Sequence, residues 1–330
     1  MIRARIGIVS WNTSALLDRC LASLPRATEE MEAEVVVVDN ASSDSSVEIC
    51  HSHGVKVVSN ASNEGYAAAI NTALTIDLPS QGVDVLIALN PDTECPPGSL
   101  RLLSETLVAE PDVGLVAPRL RNVDGSVQHS AYRFPSVAVT LASSFLPAGM
   151  HHGRIARRFW LEGAEPPERP CEIDWTIGAV HVMRPSALER PGPYCERWFM
   201  YAEDLDLCWR LQERGWRRVL HPEIEITHVG NASGVQAWGS DRARRWLRCT
   251  YDWYQLRRGV LAARRWALAN TIGALARLST AGLHRLLRRP LAPWERELKP
   301  ALAIHVLAVL GRLEPDSNSV VGRGDVAKLR

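Results

Sequence analysis

Along the first 120 residues, short apolar runs alternate with stretches of helical periodicity. IGIVS is followed by ALLDRCLASL, EVVVVD by DSSVEICHSHG, VKVVS by NEGYAAAINTALTI and VDVLIALN by PGSLRLLSETLVAE, before a further apolar run, VGLVAP. Runs that are apolar at every position, rather than every second one, belong to strands covered on both faces. The alternation therefore predicts an α/β fold, a doubly wound domain with a mostly parallel sheet. In such sheets ligands lie beyond the carboxyl ends of the strands. That rule singles out Ser10 to Thr13, Asp39 and Asn40, Ser59 to Asn63, and Asn90 to Asp92.

From about Pro135 to Pro170 the periodicity dissolves into a mixture of Pro, Gly, Arg and isolated large apolar side chains, which predicts a long, lid-like loop. IDWTIGAVHVMR (173–184) reads as a strand, EDLDLCWRL heads an amphipathic helix, and RRVLHPEIEITHVG (217–230) reads as a strand closing near His228. Beyond Asp241 the stretches DRARRWLRCTYDWYQLRRG, VLAARRWALANTIGALARL and ALAIHVLAVLGRL are helical. The expected division is a catalytic region over 1–240, with halves of about 1–120 and 121–240, and a helical region over 241–330.

The formal charge of +1 hides an asymmetry, because from Arg242 to Arg289 arginine meets only Asp252. Cations interleaved with Trp246, Trp253, Trp266 and leucines suit an anionic membrane face, and they suit equally a solvated helical face or a contact between copies in a homodimer. A nucleic-acid partner is the poorer reading. No run reaches the roughly 18 apolar residues of a membrane span, so the expected membrane contact is peripheral. Seven scattered cysteines without a Cys-x-x-Cys spacing predict reduced thiols in a cytoplasmic chain, with the inner face of the plasma membrane as the expected station.

The first strand-to-helix turn, Ser10-Trp11-Asn12-Thr13, has no glycine triplet, and no Gly-x-x-x-x-Gly-Lys-Ser/Thr occurs, which disfavours dinucleotide-dependent dehydrogenases and P-loop ATPases. The strand ends offer amides, hydroxyls and single carboxylates, a set suited to a base, a ribose and a diphosphate. Asp92, in the LNPD turn with Asn90, is the kind of oxygen ligand a hard divalent cation takes; a plain Pro-Asp turn explains it as well. Glu203, Asp204 and Asp206 stand at a helix start, where acids complement the macrodipole without any chemistry. A lone histidine such as His228 is more often structural than a ligand. The Asp124-Gly125-Ser126 turn reads as a tight hairpin that needs no function.

Taken together, VSWNTSALLDRCLASL, VVVVDNASSDSS, NEGYAAAINTAL, LNPDTECPPGSL, PRLRNVDGSVQHSAYRFPS, WTIGAVHVMR, FMYAEDLDLCWRLQERGW and ITHVGNASG resemble the family 2 glycosyltransferases, within them the bacterial rhamnosyltransferase-like branch. The resemblance runs in order from about Ile6 to Gly234. It implies a GT-A fold in which Asn12, its neighbours Ser10 and Trp11, and Asp39 hold base and ribose. Asn63, Gly65 and Asn71 match the donor-binding motif. LNPD takes the place of the Asp-x-Asp metal motif, with Asn90 where many relatives have Asp and with Asp92 as the matching ligand of Mg²⁺ or Mn²⁺. His228 completes the protein ligands by the same analogy. Glu203-Asp204 matches the catalytic base, with Asp204 the better match, and Trp175 and Gly178 fall where relatives line the acceptor or sugar site.

The implied reaction is a single in-line displacement with inversion. An acceptor hydroxyl, whose pKa lies far above 7, gives its proton to a carboxylate while it attacks the anomeric carbon. A divalent ion offsets the charge gathering on the leaving nucleoside diphosphate. The expected donor is dTDP-rhamnose and the expected acceptor a glycan or polyprenyl-linked glycan. Another UDP-, GDP- or dTDP-sugar acting on a secondary metabolite, and a non-catalytic binding protein that kept the fold, are the alternatives.

Overall fold

The computed structural model describes residues 1–79, 82–146, 158–159, 161, 166–189, 192–230, 241–286 and 298–314. They fall into two compact units, one of residues 1–132 and 166–237, the other of 133–165 and 238–330.

In the first unit the expected alternation is present: β1 (Ile2–Ser10), α1 (Ser14–Ala27), β2 (Met31–Asp39), α2 (Ser46–Ser52), β3 (Lys56–Ser59), α3 (Tyr66–Thr75), β4 (Val85–Leu89), α4 (Ser99–Ala109) and β6 (Val113–Arg121). A two-residue strand, β5 (Thr93–Glu94), interrupts the β4–α4 connection. The strands β3, β2, β1 and β4 pair in parallel, with Ser10 level with Asp39. Ile6, Ile8, Ile87 and Leu89 are fully buried. Each such side chain contributes about 1.5–3 kcal/mol on burial, so a parallel sheet covered on both faces is what these sequences favour.

The stretch read as one strand over 173–184 is broken. Between β9 (Cys171–Glu172) and β11 (Val180–Met183) lies β10 (Trp175–Thr176), which leaves the main sheet to pair with β8 (Ala131–Tyr132). The cause is the turn at Ile177–Ala179, where the Ile177 amide donates to the Ser130 carbonyl. β11 then runs antiparallel between β4 and β6. Its register sets Val180 opposite Leu89, and so places Gly178 and Ala179 beside the Asn90 turn.

The last long strand, β12 (Arg217–His228), holds Pro222 and passes it with a register shift between His221 and Glu225. Beyond the shift it pairs with β5, setting His228 opposite Thr93. The acidic helix is α6 (Glu203–Glu213), and the short β7 (Val127–Gln128) pairs with β6.

The second unit differs from the expected division, since 133–165 groups with the C-terminal helices instead of the catalytic region. Within the stretch read as a loop, Val137–Phe145 forms a helix, α5, whose N-cap Ser136 hydroxyl accepts from the Val139 amide. That Ser before an apolar run is an N-terminal signal the loop reading passed over. Much of the remaining predicted lid, and the Asn-Ala-Ser-Gly stretch after Gly230, lie outside the described residues. The helices α7 (Arg242–Arg258), α8 (Val260–Leu286) and α9 (Leu298–Val309) follow the three helical patterns. Trp253 and Trp266 are core residues: Trp266 stacks on Tyr254 at 4.8 Å and its Nε1 donates to Thr140. Only Trp246 of the three tryptophans is exposed, so an interfacial role for the other two does not hold.

Candidate active site

The carboxyl ends of β1 and β2 form one side of the site. Asn12 adopts φ 51°, a left-handed conformation that Asn tolerates better than most residues. Its Oδ1 accepts from the Ser43 amide at 2.7 Å and its own amide donates to Ser42 Oγ, so the turn is tied to the loop after β2. Half-buried Trp11 lies in the same turn. Asp39 accepts from the Ser42 amide through Oδ2, while its Oδ1 is buried with no hydrogen-bond partner. A buried carboxylate oxygen left unpaired is costly unless a ligand supplies the donor, and a sugar hydroxyl is a donor of that kind. Ser10 does not face a ligand in this way, because its hydroxyl is engaged by Thr13 and Ser46 inside the protein.

Gly65 opens α3 at φ 86°, and a Cβ there would stand 2.5 Å from the Phe199 carbonyl oxygen. Asn63 Oδ1 accepts from the Gly65 amide and Asn40 Nδ2 donates to the Gly65 carbonyl, while the Tyr66 amide donates to Phe199. Asn71, expected beside the donor, is turned to another task. Its Nδ2 donates to the Tyr194 carbonyl and to Glu196, and its Oδ1 accepts from the Tyr194 amide. Both ends of the amide are thus used to clamp α3 to the segment before the acids.

Asp92 and His228 are brought together by the β5–β12 pairing. His228 Nε2 stands 3.2 Å from Asp92 Oδ1, yet makes no hydrogen bond in its buried position. His228 Nδ1 meets Gln128 Oε1 at 2.6 Å. Asn90 lends its backbone to the turn, with its amide donating to Ala179 and its carbonyl accepting from Thr93. Among the described residues no group of three His, Cys, Asp or Glu side chains could hold a metal. A cation held by this pair would have two protein ligands and would need the rest from a diphosphate and water, as Mg²⁺ often does.

Just beyond Phe199, Tyr201 and Ala202 are both left-handed, at φ 73° and 69°. Such conformations cost non-glycine residues about 1–3 kcal/mol and cluster at functional sites. Glu203 and Asp204 follow at once. The Leu205 amide donates to Asp204 Oδ1 at 2.7 Å and the Gly178 amide to Oδ2 at 3.2 Å. Burial pushes the Asp204 carboxyl up to about 6, against these two bonds, which lower it. Glu203 is more deeply buried, with Oε2 unpaired; burial and the neighbouring Asp204 hold its carboxyl well above the usual range. Of the pair, Asp204 keeps the opening to solvent. Asp206 is fully buried and bonds Arg210 Nε at 2.8 Å, so it anchors the helix from within.

The residue that links the two sides was not singled out from the sequence. Tyr66 donates its hydroxyl to the Gly178 carbonyl, and its pKa is raised first by burial and then by Glu203, Asp204 and Asp92. The signal was its position next to Gly65 in the NEGY stretch. Gly178 lies under Asp204, so that a Cβ at this glycine would stand 3.7 Å from Asp204 Cβ. Trp175 is buried and stacks on Tyr132 at 4.7 Å, which stacks on His129 at 4.2 Å.

A mixed, mostly parallel sheet with helices on it and added C-terminal helices is the architecture of a GT-A glycosyltransferase. The Glycosyl transferase family 2 model matches residues 6–163. An N-acetylglucosaminyl-diphospho-decaprenol L-rhamnosyltransferase of Mycobacterium tuberculosis is 33% identical over 239 residues, 67% of this chain and 74% of that protein. The chain belongs to glycosyltransferase family 2 and is rhamnosyltransferase-like within it. Among solved structures, the mannosyltransferase PcManGT from Pyrobaculum calidifontis, in complex with GDP-Man and Mn²⁺, superposes with a TM-score of 0.55 at 18% identity, covering 94% of this chain and 87% of its own. GalNAc-T7 with UDP, GalNAc and Mn²⁺ gives a TM-score of 0.51 at 16% identity, covering 78% and 50%.

Proposed function

We propose that the chain is an inverting, divalent-cation-assisted glycosyltransferase that moves L-rhamnose from dTDP-rhamnose to a hydroxyl of a lipid-linked glycan. The observation that carries this reading is the grouping of an Asp92–His228 pair and a raised Asp204 around Tyr66 and Gly178. The name of the mycobacterial relative supports both sugar and acceptor class, and the Mn²⁺ of the two structural neighbours supports a cation.

In this reading Asp39 Oδ1 accepts from a ribose hydroxyl, and Asp92 and His228 Nε2 hold the cation. When bound, the ion supplies electrostatic stabilisation of the leaving diphosphate. Asp204 takes the acceptor's proton, its two backbone N–H bonds holding the carboxylate in place. Burial and Asp204 hold the Glu203 carboxyl well above the usual range, which leaves Asp204 the readier base of the pair.

The test is nucleoside diphosphate release from a panel of activated sugars, with and without a chelator. Release from dTDP-rhamnose that stops with chelator and returns with Mn²⁺ or Mg²⁺ is expected. Turnover of another sugar alone would replace the donor, and release indifferent to chelator would remove the cation.

For the acceptor's surroundings we infer a peripheral contact with anionic lipid. Leu261, Leu268, Ile272 and Leu275 are exposed on α8. Their spacing lines them up on one face of the helix, with exposed Arg264 and Arg265 alongside and no acid anywhere in α8. An apolar stripe edged only by cations suits an anionic lipid interface, and among the described residues no helix is long and apolar enough to cross a membrane. The chain is expected to sediment with phosphatidylglycerol vesicles and not with phosphatidylcholine, and Leu268→Glu with Ile272→Glu should release it. Equal recovery with both lipids, or no loss in the double variant, would refute the contact.

A further inference from the structure

The Asp124-Gly125-Ser126 turn, a plain hairpin by sequence, is the start of a directed chain of hydrogen bonds that ends at His228. Asp124 is a carboxylate and only accepts. Ser126 Oγ donates to Asp124 Oδ1 at 2.6 Å, which leaves the Ser126 oxygen to accept from Asn122 Nδ2 at 2.9 Å. That bond fixes the Asn122 amide, so its Oδ1 faces Gln128 and accepts from Gln128 Nε2 at 2.9 Å. The same Nε2 points toward the His228 carbonyl at 3.4 Å. With both acceptors on its nitrogen side, Gln128 presents Oε1 to the ring, and His228 Nδ1 must donate to it across 2.6 Å.

The other ring nitrogen follows. A proton on His228 Nε2 would be buried without an aligned acceptor, since the 3.2 Å approach to Asp92 Oδ1 is not a hydrogen bond, and such an orphan donor is costly. In the neutral ring the lone pair is therefore on Nε2, directed at a carboxylate oxygen. A lone pair and a carboxylate oxygen at that separation suit two adjacent ligand positions of one bound cation. Gly230 makes room for the arrangement: at φ 77°, its missing Cβ would come within 3.0 Å of Gln128 Nε2.

From this the geometry points to Gln128 as a positioning residue. It locks His228 in the tautomer that offers Nε2 toward Asp92, so that the pair is ready-made as cation ligands before any donor binds. The inference rests on the cation reading above and adds to it a residue that touches neither cation nor substrate. Partners of this kind, one bond behind a ligating histidine, are typically worth about 10–100-fold in metal affinity.

The experiment uses the full chain in three forms: wild type, Gln128→Leu, which removes the acceptor, and Gln128→Glu, which keeps one. Long-range ¹⁵N–¹H spectra of the metal-free proteins read the His228 tautomer, its signals assigned by their loss in His228→Ala. Electron paramagnetic resonance of free Mn²⁺, with saturating dTDP, reads affinity. Wild type should show the proton on Nδ1; Gln128→Leu should lose that preference and bind Mn²⁺ about 10–100-fold more weakly. Gln128→Glu should stay within a few-fold of wild type in both readouts. A wild-type proton on Nε2 would overturn the inference without recourse to any variant. Gln128→Leu with wild-type tautomer and affinity would overturn it alone, as would equal weakening in both variants with the tautomer unmoved. A wild type that binds no Mn²⁺ would instead overturn the cation reading on which it stands.

Discussion

Asp204→Asn is expected to cut turnover by about 10²–10⁴-fold, the range a positioned general base contributes, with donor binding and fold retained. The amide keeps one oxygen for the Gly178 or Leu205 N–H groups but cannot take a proton. The pH profile supplies an independent arm. Burial raises the Asp204 carboxyl from 3.8 to about 6, and a base works only when deprotonated, so kcat/KM should fall as pH drops through about 6. The sign for stability is opposite: the native state holds this proton more tightly than the unfolded chain, so this group's contribution to stability is greatest below 3.8 and declines as pH rises toward 6. An acid limb in activity that coincided with loss of structure would point to unfolding, whereas the linkage predicts that Asp204 itself favours the fold on the acid side. Wild-type turnover in Asp204→Asn would remove the base assignment.

The second large effect is expected of Asp92→Ala, a loss of about 10²–10³-fold in kcat/KM, comparable to deleting a group that stabilises charge developing in the transition state. The variant should also lose any Mn²⁺-dependent rise in melting temperature measured with dTDP. The reason lies in the site's economy of ligands. In the proposed site only Asp92 and His228 converge, with no third His, Cys, Asp or Glu placed among the described residues to share a metal with them, so removal of one would halve the protein's hold. A variant that kept the Mn²⁺-dependent shift would show that the cation sits elsewhere.

How much of this could be read from the sequence depends on the kind of interaction. The parallel half of the sheet follows from strands apolar at every position, such as EVVVVD, because burial on both faces leaves no other pattern. Asp39, Asp92 and Glu203 to Asp206 were legible because strand ends and helix starts are places where polar groups gather. What was not legible depended on pairing between distant segments. Asn71 looks like a donor ligand until its partner Tyr194, 123 positions away, is known. Ser10 looks available until Ser46 is seen to take its hydroxyl. Gln128 and Tyr66 act on groups contributed by other strands and helices, and no local spacing reports that. The helix α5 was missed for a different reason: a short apolar helix and a loop with scattered apolar residues give similar patterns, and its Ser136 cap was the only distinguishing mark.

The clamp between α3 and the stretch before α6 bears on how such an enzyme can diverge. With Gly65 pressed against the Phe199 carbonyl and Asn71 riveted to Tyr194, the piece proposed to meet the donor and the piece proposed to carry the proton acceptor are tied as one part, although some 130 residues of chain separate them. Chimaeras with a relative would have to exchange both pieces together, whereas the turn that presents Asp124 and Gln128 stands outside that clamp and would have to travel with His228, the residue it touches.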